Sequence, residues 1–173
     1  MRCFLLKVEA LLAVGIIFIR KHRHKYEVLI QHRPNYIKNG GNRLSIVTGG
    51  MDKGEKSIES AYREASEETQ FNKYCSFSQF KKYAIRLTKG TFNCYLFYIN
   101  KVKTLKKWKP KPEKEFKKEL DTRIFKHGHV WVPLNIIYQI ITFNDTINHV
   151  YMWDLTKNLF REQWRNIIDF MNY

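Results

Sequence analysis

Gly49 to Phe71 reads GGMDKGEKSIESAYREASEETQF, and this stretch decides how the rest of the chain is read. Glu64, Glu67 and Glu68 fall three and four residues apart, so a helix sets their carboxylates at neighbouring positions. Folding alone does not call for this, because like charges at that spacing repel. Hard oxygen ligands gathered so closely are the usual holders of a divalent cation, and the plain alternative is a solvated acidic helix face. Ser57 is a candidate N-cap, and the helix's apolar side reads Ile58, Ala61, Tyr62 and Ala65. The apolar run from Leu44 to Val47 predicts a strand ahead of it. Gly49-Gly50 then predicts a tight turn where backbone and phosphate approach closely.

In order, the stretch supplies Gly49, Glu55, Arg63, Glu64, the apolar Ala65, Glu67, Glu68 and the apolar Phe71, a pattern that resembles the Nudix box. The match spans 23 of 173 residues and meets six of the seven fixed polar or glycine positions; Gln70 stands where the box ends in glycine. A helix often ends there on a left-handed residue, so glutamine is expected to cost roughly 1 kcal/mol of backbone strain while removing no ligand. The resemblance implies an α/β fold, an α/β/α sandwich around a mixed β-sheet, as one domain over residues 1–173. It implies Mg²⁺ or Mn²⁺ held by Glu64, Glu67 and Glu68, with the Gly49 carbonyl as a further ligand. Glu55 and Arg63 are then the pair that ties loop to helix and orients those ligands. The implied reaction is hydrolysis of a pyrophosphate bond in a nucleoside diphosphate linked to a group X. Glu67, Glu68 or an acid beyond the box takes the proton, and Glu119 and Asp121 are the outlying candidates.

Composition adds a partner. Lys and Arg number 31 against 16 Asp and Glu, a formal charge of +15, and several of those few acids belong to the box. A polyanion is the expected partner, although a lysine-rich genome gives the same excess. Cys3, Cys75 and Cys94 have no paired spacing, as expected of reduced thiols in an intracellular, cytoplasmic protein. The apolar run from Ala10 to Ile19 is half the length of a membrane span, so we read a strand there and expect no membrane partner.

Residues 8–20 and Tyr26 to His32 predict a hairpin with a basic tip. Its second strand ends in Gln31-His32-Arg33, where Arg33 is a candidate phosphate contact. The turn-rich segment 34–43 predicts a loop over the cleft, with Tyr36 a candidate for base stacking. Phe77 to Leu87 and Thr91 to Val102 read as two strands. Residues 101–118 hold nine lysines and two acids, with Trp108 and Phe116 interleaved. Such a loop can follow a nucleic-acid backbone and stack on a base, which makes Lys106, Lys107 and Trp108 candidate substrate contacts. His127 to Leu134 predicts a strand with Trp131 in the core, and two helices follow, the last capped by Asp154.

The charge, the lysine loop and the altered box together favour the 5′ cap of RNA as substrate, as in the mRNA decapping of some viral and cellular Nudix proteins. Lysine and asparagine richness also fits a large DNA virus acting in host cytoplasm. The alternative substrate is a small nucleotide, a dinucleoside polyphosphate or nucleoside triphosphate. A second alternative is a non-catalytic RNA-binding protein on the same fold, which predicts lost carboxylates where all three are present. The oligomeric state has no sequence signal.

Overall fold

The computed structural model describes residues 12–37, 41–117 and 120–172. Strand β1 (Ala13–His22) turns through Arg23 and His24, both at positive φ, into β2 (Lys25–His32), giving the expected hairpin. The part of the first predicted strand before residue 12 lies outside the described residues. Short strands β3 (Leu44–Ser45) and β4 (Val47–Gly50) lead to helix α1 (Ser57–Thr69). Helix α2 (Phe77–Tyr83), strands β5 (Ile85–Arg86), β6 (Phe92–Tyr98) and β7 (His129–Pro133), and helix α3 (Leu134–Phe143) follow. A hairpin of β8 (Thr146–Ile147) and β9 (Val150–Tyr151) precedes helix α4 (Asp154–Met171).

The sheet is mixed. β1 runs parallel to β6 on one side. On its other side β4 pairs with its first half and β2 with its second, both antiparallel, so β2 and β4 fork along one edge. β7 covers the far edge of β2. Side chains alternate along a strand, and β1 uses both faces: Val14, Ile16 and Phe18 enter one core with Ala61, Ala65 and Phe80, while Ile17 and Ile19 enter the other with Ile137, Ile140 and Phe160. Helices α1 and α2 therefore cover one face and α3 and α4 the other. This is the expected α/β/α sandwich.

Five expectations need correction. Gly49-Gly50 is not a turn: both glycines lie in β4, paired with Val14 and Ala13, and the strand expected over Leu44 to Val47 is broken at Ile46 into β3 and β4. Phe77 to Leu87 is mostly helix, because Ser76 and Gln79 form a capping box: Gln79 N–H donates to Ser76 Oγ at 3.3 Å and Ser76 N–H to Gln79 Oε1 at 3.0 Å. Ser57 is the first helical residue of α1 and its hydroxyl shares a 2.7 Å hydrogen bond with Tyr95; Lys56 is the N-cap, its N–H held by Glu59. Trp153 caps α4, leaving Asp154 inside it, paired to Lys157. Trp131 is half-buried, with Arg20 stacked 4.2 Å from its ring centre.

His129 on β7 is buried, and its Nδ1–H donates to the His127 carbonyl at 2.9 Å. Burial holds its pKa down, to about 4 from an ordinary 6.5. The unfolded chain thus takes up this proton first as pH falls from 6.5 towards 4, and stability drops across that window by about 3 kcal/mol. Melting temperature measured against pH should show this decline, and His129→Gln should flatten it.

Candidate active site

The carboxylates gather where β2 and β4 part. Arg33, just past β2, reaches across the fork, and its Nη1 donates to Thr48 Oγ1 at 2.9 Å. Helix α1 crosses β4 so closely that Glu64 lies on Gly49: a Cβ added there would sit 1.9 Å from the Glu64 carboxyl carbon. Only glycine leaves room for this approach, which is the physical reason for the first residue of the motif.

Arg63 is the hub. Its Nη1 donates to Glu64 Oε1 at 2.8 Å and to Glu67 Oε2 at 3.2 Å, and its Nη2 to the Gly50 carbonyl at 2.8 Å. Nε and Nη2 also donate to the two Glu55 oxygens, each at 3.2 Å. Glu55 receives further hydrogen bonds from the Ser60 hydroxyl and from Asp52 N–H. Burial would raise the Glu55 carboxyl, but the Arg63, Ser60 and Asp52 donors outweigh it and hold the group below the usual carboxylate range. Burial likewise opposes the charge on Arg63, and Glu55, Glu64 and Glu67 more than restore it.

Arg33, Gly49, Arg63, the three glutamates and Phe116 line a cleft of about 360 Å³, a size suited to a nucleotide-class ligand. Glu64 and Glu68 are nine-tenths buried or more. Among the described residues no three acids, histidines or cysteines stand at mutual ligand distance, since the Arg63 guanidinium lies between Glu64 and Glu67. The donors fit a hard divalent cation in kind: oxygen only, crowded, and seated against the glycine cradle.

Among the described residues, Trp108, Lys106, Lys107 and Asp121 do not line this cleft. Trp108, read as a stacking residue, is 5% exposed; it packs on Phe18, Phe71 and Trp131 at ring distances of 5.1, 5.3 and 6.1 Å, and its Nε1–H donates to the Thr69 carbonyl. Val102, Leu105 and Trp108 recur every third residue and turn one side of the loop inward, a period that the lysines mask. Lys106 and Lys107 are exposed, and Lys106 borders a separate groove with Arg20, Lys21 and His22. Asp121 is buried against Arg123, whose side-chain hydrogen bond holds it down to about 2, and it lies 3.9 Å from His32. A carboxylate so committed is a weak base. Glu119 lies outside the described residues. Tyr36 is 65% exposed on the loop after β2, beside the cleft-lining Ile37.

Sequence reasoning missed Thr48 and Phe116 as parts of the cleft. The aromatic interleaved with lysines was a signal for Phe116; nothing local marked Thr48. It also missed a use for Gln70. This residue is left-handed (φ 54°), as the strain argument required, and its Nε2 donates to the Pro112 carbonyl at 2.9 Å.

Fold and site together define the class in which a helix lays clustered carboxylates across the glycines that end a strand. The sequence model of the NUDIX domain matches residues 10–153, and the chain belongs to that family as a pyrophosphohydrolase. Solved structures agree on the fold. A Caenorhabditis elegans Ap4A hydrolase complex superposes with TM-score 0.52 at 14% identity, covering 92% of this chain and 98% of that one. The MutT protein of Methanosarcina mazei gives 0.53 at 14%, covering 90% and 94%. The Trypanosoma brucei MERS1–RNA complex gives 0.56 at 13%, covering 80% and 56%. At such identities the likeness is of fold alone. No curated protein matches in sequence.

Two substitutions test the geometry. Gly49→Ala should push the Glu64 carboxylate from its seat and raise the Mg²⁺ concentration for half-maximal turnover by about tenfold or more. Glu55→Gln should lower kcat/KM by about 10–100-fold while the far-UV circular dichroism stays unchanged.

Proposed function

We propose that the protein hydrolyses a pyrophosphate bond in a nucleoside diphosphate linked to X, with Mg²⁺ or Mn²⁺, and that X is the 5′ end of a capped RNA. The observation that carries the chemistry is the row of Glu64, Glu67 and Glu68 in an open cleft at Gly49 and Gly50 of β4, with Arg63 holding Glu64, Glu67 and the Gly50 carbonyl. Glu64, Glu67 and Glu68 are the side chains that hold the ion, with the Gly49 carbonyl as a further ligand. Once bound, a divalent cation neutralises bridging phosphate charge and acidifies a water.

The protein's own residues do the remaining work. Arg33, held by Thr48 on the opposite lip, binds a phosphate and aligns the chain to be cut. Arg63 holds Glu64 and Glu67 at the place where they would meet the ion, and its hydrogen bonds to the Gly50 carbonyl and Glu55 keep β4 against the helix. With Asp121 committed to Arg123, the proton of the attacking water passes to Glu67 or Glu68. Three retained carboxylates argue against a purely binding role.

Capped RNA is favoured by the charge of +15, which a small substrate does not need. That a structural neighbour was solved as an RNA complex adds support for this fold accommodating RNA. The burial of Trp108 weighs the other way, because it removes the loop's stacking ring and so favours a small nucleotide such as a dinucleoside polyphosphate. The test is product release from capped RNA, free cap dinucleotide, diadenosine tetraphosphate and nucleoside triphosphates under Mg²⁺ or Mn²⁺. Capped RNA should release a nucleoside diphosphate fastest, and Glu67→Gln should slow it by about 100-fold or more. Faster cleavage of the free nucleotides would replace this substrate with the small one.

A further inference from the structure

Residues 101–117 cross the α1 side of the sheet as a strap. Val102, Leu105, Trp108 and Pro112 face inward and are buried, whereas every lysine between 101 and 117 is exposed. Four hydrogen bonds pin the strap to the end of α1. Trp108 Nε1–H and Lys111 N–H donate to the Thr69 carbonyl at 3.0 and 3.4 Å, Gln70 Nε2 to the Pro112 carbonyl at 2.9 Å, and Glu113 N–H to the Glu67 carbonyl at 2.8 Å. One end of the strap thus reaches the carboxylate cleft, where Phe116 forms part of the wall.

The other end borders a groove of about 310 Å³ between Arg20, Lys21, Asn100 and Lys106. Asn100 fixes its wall, accepting from Lys21 N–H at 2.9 Å and donating to the Lys21 carbonyl at 3.3 Å. Arg20 is paired to Glu27 at 2.6 Å and the Lys21 ammonium lies over the Tyr26 ring, 5.5 Å from its centre, on the opposite face of the sheet, so the groove's remaining positive charge comes from Lys106. Gly49 lies opposite Val14 on β1, and Lys21 is seven residues further along, so cleft and groove are separated by about 23 Å. That is a span of several nucleotides.

Lysines that serve solubility alone need no fixed backbone. Here their backbone is pinned to α1, and it runs from the carboxylate cleft to a second groove at Lys106. A polyanion covalently continuous with the substrate gains from the whole line, and an unrelated acidic protein does not. We infer that the lysine strap is the track for the body of a single-stranded RNA whose 5′ end lies in the carboxylate cleft, with the groove at Lys106 seating its distal phosphate. This rests on the RNA-end reading above. It also assigns a role to Gln70, which holds the strap where the motif ordinarily ends in glycine.

The test compares three full-length proteins: the parent, the triple variant Lys103→Gln/Lys106→Gln/Lys109→Gln, and an equal-charge control on other surfaces, Lys81→Gln/Lys82→Gln/Lys89→Gln. Binding of a capped single-stranded RNA longer than the track is followed by fluorescence anisotropy against salt, without divalent ions. Each lost phosphate contact reduces the slope of log K against log salt by about 0.7, so the strap variant's slope should be shallower by about 2 and the control's unchanged. All six sites are exposed, and matching melting temperatures would confirm intact folds. Equal slopes in all three proteins overturn the track, and if capped RNA is still cleaved the substrate reading survives alone. A shallower strap slope without cleavage of capped RNA keeps the track and removes that substrate.

Discussion

The site depends on one guanidinium. Glu55, Glu64 and Glu67 crowd about Arg63, and two like charges about 4 Å apart repel by roughly 4 kcal/mol at the dielectric of a protein surface. Arg63 offsets this with donors to three carboxylates and the Gly50 carbonyl, which no lysine could match, because an ammonium lacks the planar fork. The strand-turn-helix geometry therefore needs Arg63 before any ligand arrives.

The same economy shapes the surroundings. Gly49 exists so that Glu64 can lie on the backbone, and Thr48 beside it holds Arg33 across the fork. The fork itself follows from the length of β1, whose two halves pair with different strands on the same edge. Arg33 and the carboxylates thus face each other across a gap that the sheet creates. Phosphate chemistry requires both.

Much of this was legible in the sequence, for stated physical reasons. The acids at helical spacing, the basic hairpin tip and the strand-to-helix passage at Val132, Pro133 and Leu134 all carry local signals and form as read, whereas the turn expected at Gly49-Gly50 is the end of β4, because both glycines pair with β1. Helix α2 was misread because its aromatic residues favour strands, yet Ser76 and Gln79 three apart were the stronger signal. Trp108 was misread because its lysine neighbours suggested a surface segment. Its burial is a tertiary event, settled by a gap between Phe18, Phe71 and Trp131, which no local pattern encodes. Asp121 met its partner, Arg123, only two residues away, but whether that pair would face a cleft or a core depends on the path of the chain.

The most direct measurement is the anomalous scattering of Mn²⁺ in crystals grown or soaked with that ion. The account predicts a peak within coordination distance of Glu64, Glu67 and Glu68, with Arg63 withdrawn from Glu64 and Glu67 yet still on Glu55. Manganese bound elsewhere, with Arg63 still bridging those two glutamates, would contradict it.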